Sequence, residues 1–269
     1  MECGISTACF YPMETSQSLK TLLQAGHTVF EIFFNTDSEL EPDYLARMKE
    51  MLDAYGGRVK SVHPYTCGYE GVMIFSNYET RFYDSLRYYA KYCQAAQTLG
   101  ANLLILHGML SKFRSEEAEE RYFARYRELY RMGQEYGVAV AQENVTQYFS
   151  EDPGFIGRMR QATGDVCSFC FDVKQAVRSN VDCYEMLDAM GDRLLHVHLN
   201  DNRPGKSCLL PGQGTMDMPK LLQTLRNSGY DQDIIIEVYR GDFETVADLN
   251  RSRDQVKQWL RDGEKATKL

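Results

Sequence analysis

Short apolar runs in this chain end in residues that can ionise or bind a metal. In "RLLHVHLNDN", residues 193–202, two histidines two positions apart close one such run, and an aspartate follows. Six runs end in this way, with His63, His107, Glu143, Asp172, His198 together with Asp201, and Glu237. Four of the five histidines lie in these segments. A single one could be a capped turn or a hydrogen-bonded polar group, but six together would bury more charge than a protein tolerates unpaired.

These side chains need a positive partner. Several carboxylates that face one another repel, and neutral imidazoles cannot offset the repulsion, whereas a divalent cation can. Mixed carboxylate and imidazole ligands suit Zn²⁺, Mn²⁺, Co²⁺ or Fe²⁺ better than Ca²⁺. We therefore expect a divalent metal, Zn²⁺ or Mn²⁺ first, with Co²⁺, Fe²⁺ or Mg²⁺ as alternatives. His198 lies at the rim, whereas His196 points the same way one layer deeper, where we expect it to support a ligand by hydrogen bonding.

The segments that position these residues alternate between strand and helix. Eight β-rich runs, each followed by a segment of helical period, fill the chain: "CGISTACFY", "VFEIFF", "RVKSVHPY", "NLLILHG", "VAVAQENV", "VCSFCFDV", "LLHVHLND" and "DIIIEVY". Apolar strands between amphipathic helices, eight times over, predict an α/β protein with a single (β/α)₈ TIM barrel domain over residues 1–269. A doubly wound sheet would carry a glycine-rich turn after the first strand, and "CFYPMETS" has none. In a TIM barrel the reacting groups stand where the strands end.

Composition excludes several classes of function. The formal net charge of −8 gives no footprint for nucleic acid or an anionic membrane. No run approaches the length of a membrane span, and the N-terminal stretch lacks the basic and then apolar pattern of a secretory signal. Eight scattered cysteines, several inside apolar runs, are typical of reduced buried thiols. We therefore expect a cytoplasmic protein.

Several of these motifs together resemble the xylose isomerase-like barrel superfamily. That superfamily includes sugar isomerases and epimerases and the endonuclease IV-type AP endonucleases. The motifs "VAQENV", "FCFDV", "HVHLND", "LLPGQGTMD" and "IIIEVY" occur in the expected order over nearly the whole chain. Carried over by position, the resemblance implies that the metal ligands are Glu143, Asp172, His198 and Glu237. His63 and His107 match the two extra histidines of the members that bind several metals, so they would hold a second metal or contact substrate.

The chain also departs from that pattern. Gln175 stands three residues after Asp172, where the AP endonucleases carry a histidine. Lys206 and Cys208 stand at about the places of a further aspartate and histidine. A third metal would therefore lack three ligands, which argues against DNA repair. Isomerases and epimerases also often have a histidine at the position of Gln175, as a substrate contact, so this departure bears on the substrate rather than on the metal.

The predicted function is that of a metal-dependent sugar, keto-polyol or hydroxy-carbonyl isomerase or epimerase, which transfers a proton through a metal-stabilised enediolate. Glu143 and Glu237 would flank the substrate, one taking the proton and the other returning it. The alternative is a hydrolase or lyase on the same barrel, in which His63 and His107 hold a second metal and Glu143 bridges the two ions. A barrel that has lost activity and only binds a ligand ranks last.

Three residues are predicted to contact substrate: Gln175, Asp201 and Arg203. For Asp201 and Arg203, turn chemistry is an equal interpretation. Lys174 could be solvated or could be an electrostatic partner of its neighbour Asp172. The substrate is expected to be a small carbohydrate-like molecule. The tyrosine-rich helical segments would form a homo-oligomer contact if their aromatic side chains are exposed, and ordinary packing around the barrel if they are not.

Overall fold

The computed structural model describes residues 1–266, and eight parallel strands in it close into a barrel. The strands follow one another around the barrel in chain order, and the last pairs with the first. They are β1 (Cys3–Ser6), β2 (Val29–Phe34), β3 (Arg58–Pro64), β4 (Leu103–Leu106), β5 (Ala139–Glu143), β6 (Ser168–Asp172), β7 (Leu194–Leu199) and β10 (Ile234–Ile236). The predicted (β/α)₈ architecture is confirmed.

Helices between the strands form the outer layer. They are α1 (Thr15–Gln24), α2 (Pro42–Tyr55), α4 (Glu79–Leu99), α5 (Glu116–Glu135), α6 (Pro153–Thr163), α8 (Cys183–Met190), α9 (Met218–Asn227) and α10 (Val246–Ala266). Ser115 caps α5 by accepting a hydrogen bond from the Ala118 backbone, and proline begins α2 and α6. Within residues 1–266, no helix combines the length and the apolar character needed to cross a membrane.

The sequence analysis did not predict several short elements. Residues 7–10, expected as part of the first strand, form a 3-10 helix (Thr7–Phe10). The excursion after β3 contains a helix, α3 (Cys67–Met73), and a further helix, α7 (Val173–Arg178), follows β6 directly. The segment after β7, expected as a loop, contains an antiparallel hairpin of β8 (Asp201–Arg203) and β9 (Lys206–Leu209). Each of these elements follows the carboxyl end of a barrel strand, where the predicted polar residues lie.

The tyrosines of α4 and α5 pack mainly inward. Tyr89, Tyr92, Tyr122 and Tyr126 are buried, and the Tyr126 hydroxyl donates to the Ser168 carbonyl at 3.1 Å. Ordinary packing around the barrel therefore accounts for these four side chains.

His27 joins the beginning of β2 to α10 from inside the protein. Its side chain is 2% exposed, and its Nε2 lies 3.0 Å from the Asn250 Oδ1. Because the asparagine oxygen can only accept, the histidine nitrogen donates. Burial first, and then the positive charge of Arg253, lowers the pKa of His27 to about 4.

We predict that His27 makes the folded state sensitive to acid. The unfolded chain binds the proton near pH 6.5 and the folded chain only near pH 4, so the stability contributed by neutral His27 is present above pH 6.5 and lost as the pH falls towards 4. Between pH 7.5 and pH 4.5 the wild type should lose roughly 2 kcal/mol more unfolding free energy than His27→Gln, which keeps a donor but does not titrate. Urea unfolding at the two pH values measures the difference, and equal losses would contradict the assignment.

Candidate active site

The four predicted metal ligands come together at one end of the barrel. Glu143 ends β5, Asp172 ends β6, His198 is the penultimate residue of β7, and Glu237 follows β10 directly. These strands are neighbours, and Asp172 pairs in register with His198. One ligand atom from each of the four lies within 4.8 Å of the others, and all four side chains are buried. We call these four residues the ligand group.

His198 stands at the centre of the ligand group. Its Nδ1 lies 3.4 Å from Glu143 Oε1, 3.6 Å from Asp172 Oδ2 and 3.4 Å from Glu237 Oε2. Its other ring nitrogen, Nε2, lies 3.0 Å from the Oε2 of Glu31. A carboxylate that accepts from one ring nitrogen orients the ring and leaves the opposite nitrogen as the ligand atom. His198 therefore presents Nδ1 to the three carboxylates.

Glu31 was missed by the sequence analysis, which examined only the residues at strand ends. It lies in the middle of β2, is fully buried, and accepts hydrogen bonds from Ser61 Oγ at 2.8 Å and from His196 Nε2 at 3.1 Å. His196 thus lies below the ligand group and contacts Glu31. The signal in the sequence was an acidic residue inside the otherwise apolar run "VFEIFF".

Lys174 is part of the cluster. Its side chain is 3% exposed, and its Nζ donates hydrogen bonds to Asp172 Oδ2 and to Glu237 Oε2. Asp172 also caps α7, because its Oδ1 accepts from the backbone N–H of Lys174 at 2.8 Å and of Gln175 at 3.3 Å. Of the two interpretations of Lys174, the solvated side chain is wrong, and the lysine is an electrostatic partner of the carboxylates.

His63 and His107 lie on the other side of Glu143. The Nε2 of His107 is 2.8 Å from Glu143 Oε2, and the Nε2 of His63 is 3.7 Å from the same oxygen. The His63 Nδ1 lies 3.0 Å from the Pro64 carbonyl, which can only accept, so this nitrogen carries the proton and Nε2 faces the carboxylate. His63, His107 and Glu143 form a second set of three ligand atoms within 4.8 Å of one another.

A pocket of about 440 Å³ opens above these residues. Its polar lining consists of Asn35, His63, His107, Glu143, Lys174, Gln175 and Glu237, and its aromatic walls are Tyr11, Phe33, Tyr65 and Tyr239. The volume lies within the range of pockets for small molecules. Gln175 is thus a lining residue, as predicted for a substrate contact, and its side-chain oxygen accepts from the Thr146 backbone at 3.3 Å.

Asp201 and Arg203 are not among the residues that line this pocket. Asp201 is 1% exposed, and its Oδ2 accepts from the backbone N–H groups of Gly212 at 3.0 Å and Gly214 at 2.9 Å. Arg203 is exposed in the β8–β9 hairpin. Of the two interpretations of Asp201, these hydrogen bonds favour turn chemistry, and a substrate contact by Asp201 or Arg203 stays a prediction.

Imidazoles keep the buried carboxylates ionised. Burial opposes the charged form of Glu143, but His107 and His198 outweigh it, and the pKa of Glu143 lies well below the ordinary 4.5. The pKa of Glu31 is also well below 4.5, because His198 and His196 outweigh the effect of burial. Negative charge is therefore concentrated at the base of the pocket.

The negative charge raises the pKa values of two buried cationic side chains, Lys174 and His198. Burial alone would lower the pKa of Lys174, but Asp172 and Glu237 outweigh it, and the pKa lies well above 10.5. Burial likewise disfavours charged His198, yet Cys170, Glu237 and Glu31 together raise its pKa well above 6.5.

The residues of the ligand group fit a divalent metal. Three carboxylates and an imidazole nitrogen oriented by a further carboxylate are the donor set expected for Zn²⁺ or Mn²⁺. The ammonium group of Lys174 is the one unexpected member of the site.

Comparisons with known proteins agree with the barrel fold. The family model described as Xylose isomerase-like TIM barrel matches residues 19–263. An uncharacterised protein from Mycobacterium leprae is 22% identical over 285 aligned positions, which cover 97% of this chain and 97% of that protein.

Two solved structures illustrate the similarity of fold. The crystal structure of a D-tagatose 3-epimerase-like protein superimposes with a TM-score of 0.81 at 17% identity, covering 99% of this chain and 100% of the other. The 3-keto-D-glucoside 4-epimerase from E. coli superimposes with a TM-score of 0.74 at 20% identity, covering 97% of this chain and 99% of the other.

We predict that Glu31 sets the metal affinity of the site without binding the metal. Glu31→Gln should weaken Mn²⁺ binding about 10- to 100-fold, because a neutral amide holds the His198 ring less firmly and lowers its basicity. Glu39→Gln is the matched control, since Glu39 is 3% exposed and accepts from the Asn35 backbone at 2.6 Å instead. Calorimetric titration with Mn²⁺ measures both affinities. Equal affinities for the wild type and Glu31→Gln would show that Glu31 does not act through His198.

Proposed function

This chain belongs to the xylose isomerase-like TIM barrel family, and on that premise we propose that it is a metal-dependent sugar isomerase or epimerase. The observation that carries the proposal is the placement of Glu143 and Glu237, which belong to the ligand group and also line the pocket. Two solved structures with this fold, a D-tagatose 3-epimerase-like protein and a 3-keto-D-glucoside 4-epimerase, support it by analogy.

The substrate in this proposal is a small molecule with a hydroxyl group next to a carbonyl group. A divalent cation held by the ligand group would supply the charge that stabilises the oxyanion formed when the carbon between them loses its proton. Asn35 and Gln175 line the pocket with amides that suit sugar hydroxyls, and the aromatic walls suit the apolar faces of a sugar ring. A pocket of about 440 Å³ and a net charge of −8 both favour such a substrate over a nucleic acid.

Glu237 is assigned to proton transfer on one side of the substrate. It is the least buried member of the ligand group, at 8% exposed. Its contacts with Lys174 and His198 both use Oε2. We therefore assign its Oε1 to the exchange of a proton with the substrate carbon.

Glu143 is assigned to the other side. Its Oε1 faces His198 at 3.4 Å, and its Oε2 lies 2.8 Å from His107 Nε2. His107 thus faces the Glu143 oxygen that His198 does not contact. An epimerase needs two such groups, because one removes the proton and the other returns it to the opposite face of the carbon.

A hydrolase or lyase that uses two metals is the second candidate. The observation that favours it is the second set of ligand atoms, from His63, His107 and Glu143, which shares Glu143 with the ligand group. A carboxylate common to two sets is what a bridged pair of metals requires.

We predict that the protein exchanges a substrate proton with solvent and that both glutamates are needed. With Mn²⁺ and a panel of ketopentoses and ketohexoses in D₂O, deuterium should enter the carbon next to the carbonyl of an accepted sugar, which NMR detects. Glu143→Gln and Glu237→Gln should each lower the rate about 10²- to 10⁴-fold, the usual contribution of a general acid or base.

Glu119→Gln should keep the wild-type exchange rate, because Glu119 pairs with Arg158 at 2.5 Å between two outer helices and does not line the pocket. Full exchange in either glutamine variant of the ligand group would contradict the assigned roles. Bond hydrolysis without deuterium uptake would favour the two-metal alternative.

A further inference from the structure

Lys174 occupies the same carboxylate oxygens that a metal would use. Its Nζ donates to Asp172 Oδ2 and to Glu237 Oε2. These are two of the three carboxylate oxygens that face the His198 Nδ1, at 3.6 Å and 3.4 Å. The ammonium group and a cation chelated by the ligand group would therefore compete for the same two carboxylate oxygens.

The position of Lys174 is imposed by the local fold. Asp172 begins α7 by accepting the backbone N–H groups of Lys174 and Gln175, so the lysine backbone is held beside the carboxylate. The side chain is buried and passes under Tyr239, whose ring centroid lies 5.9 Å from Nζ. In the metal-free protein this buried ammonium therefore acts as the counter-charge of its two carboxylate partners.

The ammonium group of Lys174 and a divalent metal ion cannot both occupy the space beside Asp172 and Glu237. At contact distances inside a protein, the repulsion between an ammonium group and a divalent ion is much larger than thermal energy. Lys174 lines the pocket as well as contacting the ligand group, so the pocket is where its end group can go.

From this geometry we infer that Lys174 is an internal competitor of the metal: its ammonium group neutralises Asp172 and Glu237 in the metal-free protein and moves into the pocket when a divalent cation binds. The inference rests on the metal dependence in the proposed function. The Lys174 side chain thus lowers the affinity of the site for metal. In the metal-free protein the same side chain neutralises part of the negative charge of the carboxylates.

Substitution of Lys174 tests the inference through metal affinity, without an activity assay. Lys174→Met removes the charge and keeps an unbranched side chain, so it should bind Mn²⁺ roughly 10- to 100-fold more tightly than the wild type. Lys174→Arg keeps the charge and should bind no more tightly than the wild type. Lys206→Met is the matched control, because Lys206 pairs with Asp242 at 3.1 Å, away from the ligand group, and its loss should leave the affinity unchanged.

Thermal unfolding gives a second readout. Metal-free Lys174→Met should melt below the metal-free wild type, and Mn²⁺ should raise its Tm by more than it raises the wild-type Tm. A variant that folds only with Mn²⁺ would support the inference in its strongest form. An affinity of Lys174→Met equal to or weaker than that of the wild type would overturn it, with the proposed function left standing.

Labelling of the wild type covers the case in which Lys174→Met does not fold at all. Mass spectrometry after limited acetylation should show several-fold more modification of Lys174 when Mn²⁺ is added, with Lys206 as an unchanged internal standard. Unchanged or decreased labelling of Lys174 would contradict the displacement.

The binding titrations also separate the inference from the proposed function. If only Lys174→Met binds Mn²⁺, the lysine replaces the metal in the wild type, and the metal dependence of the proposed function fails. If neither the wild type nor Lys174→Met binds Mn²⁺, both proposals fail.

Discussion

The site depends on the compensation of negative charge that the barrel buries. Glu31, Glu143, Asp172 and Glu237 are carboxylates inside one barrel, with no more than 8% exposure among them. A buried charge that loses its partner costs about 3–5 kcal/mol, so each must be matched by a donor or a cation. The polar side chains around the pocket serve this requirement before they serve any reaction.

The compensation is arranged in layers along the barrel axis. At the base, Glu31 takes hydrogen bonds from Ser61 and His196 and orients His198 above it. In the middle layer, His198 faces three carboxylates at 3.4–3.6 Å. At the rim, Lys174 links two of these carboxylates from outside. Hydrogen bonds and ion pairs link each layer to the next, so a change in one layer alters the basicity of the side chains in the adjacent layer.

The sequence predicted what the barrel geometry alone determines. Parallel strands bring their carboxyl ends to one rim, so polar residues at the ends of β5, β6, β7 and β10 had to meet, and residues of the ligand group do. Glu31 was outside that logic, because it points into the barrel from the middle of a strand. Its only signal was an acid in an apolar run.

Two other features depend on local structure that periodicity does not reveal. Lys174 turns back to the carboxylates because Asp172 starts α7 at once, and a six-residue helix gives too short a pattern to predict. Asp201 looked like a substrate contact because it follows His198, but four backbone N–H groups of its own loop surround its carboxylate: those of Asn202, Gly212, Gly214 and Met216. These hydrogen bonds join residues up to 15 positions apart, and no periodic pattern in the sequence indicates them.

The central claim is that the ligand group binds one divalent cation. Crystals grown with Mn²⁺ and measured for anomalous scattering test it most directly. The account predicts one strong peak for each chain, bonded to His198 Nδ1 and to oxygens of Glu143, Asp172 and Glu237. A map with no peak among these four residues, from crystals that contain Mn²⁺, would contradict the claim.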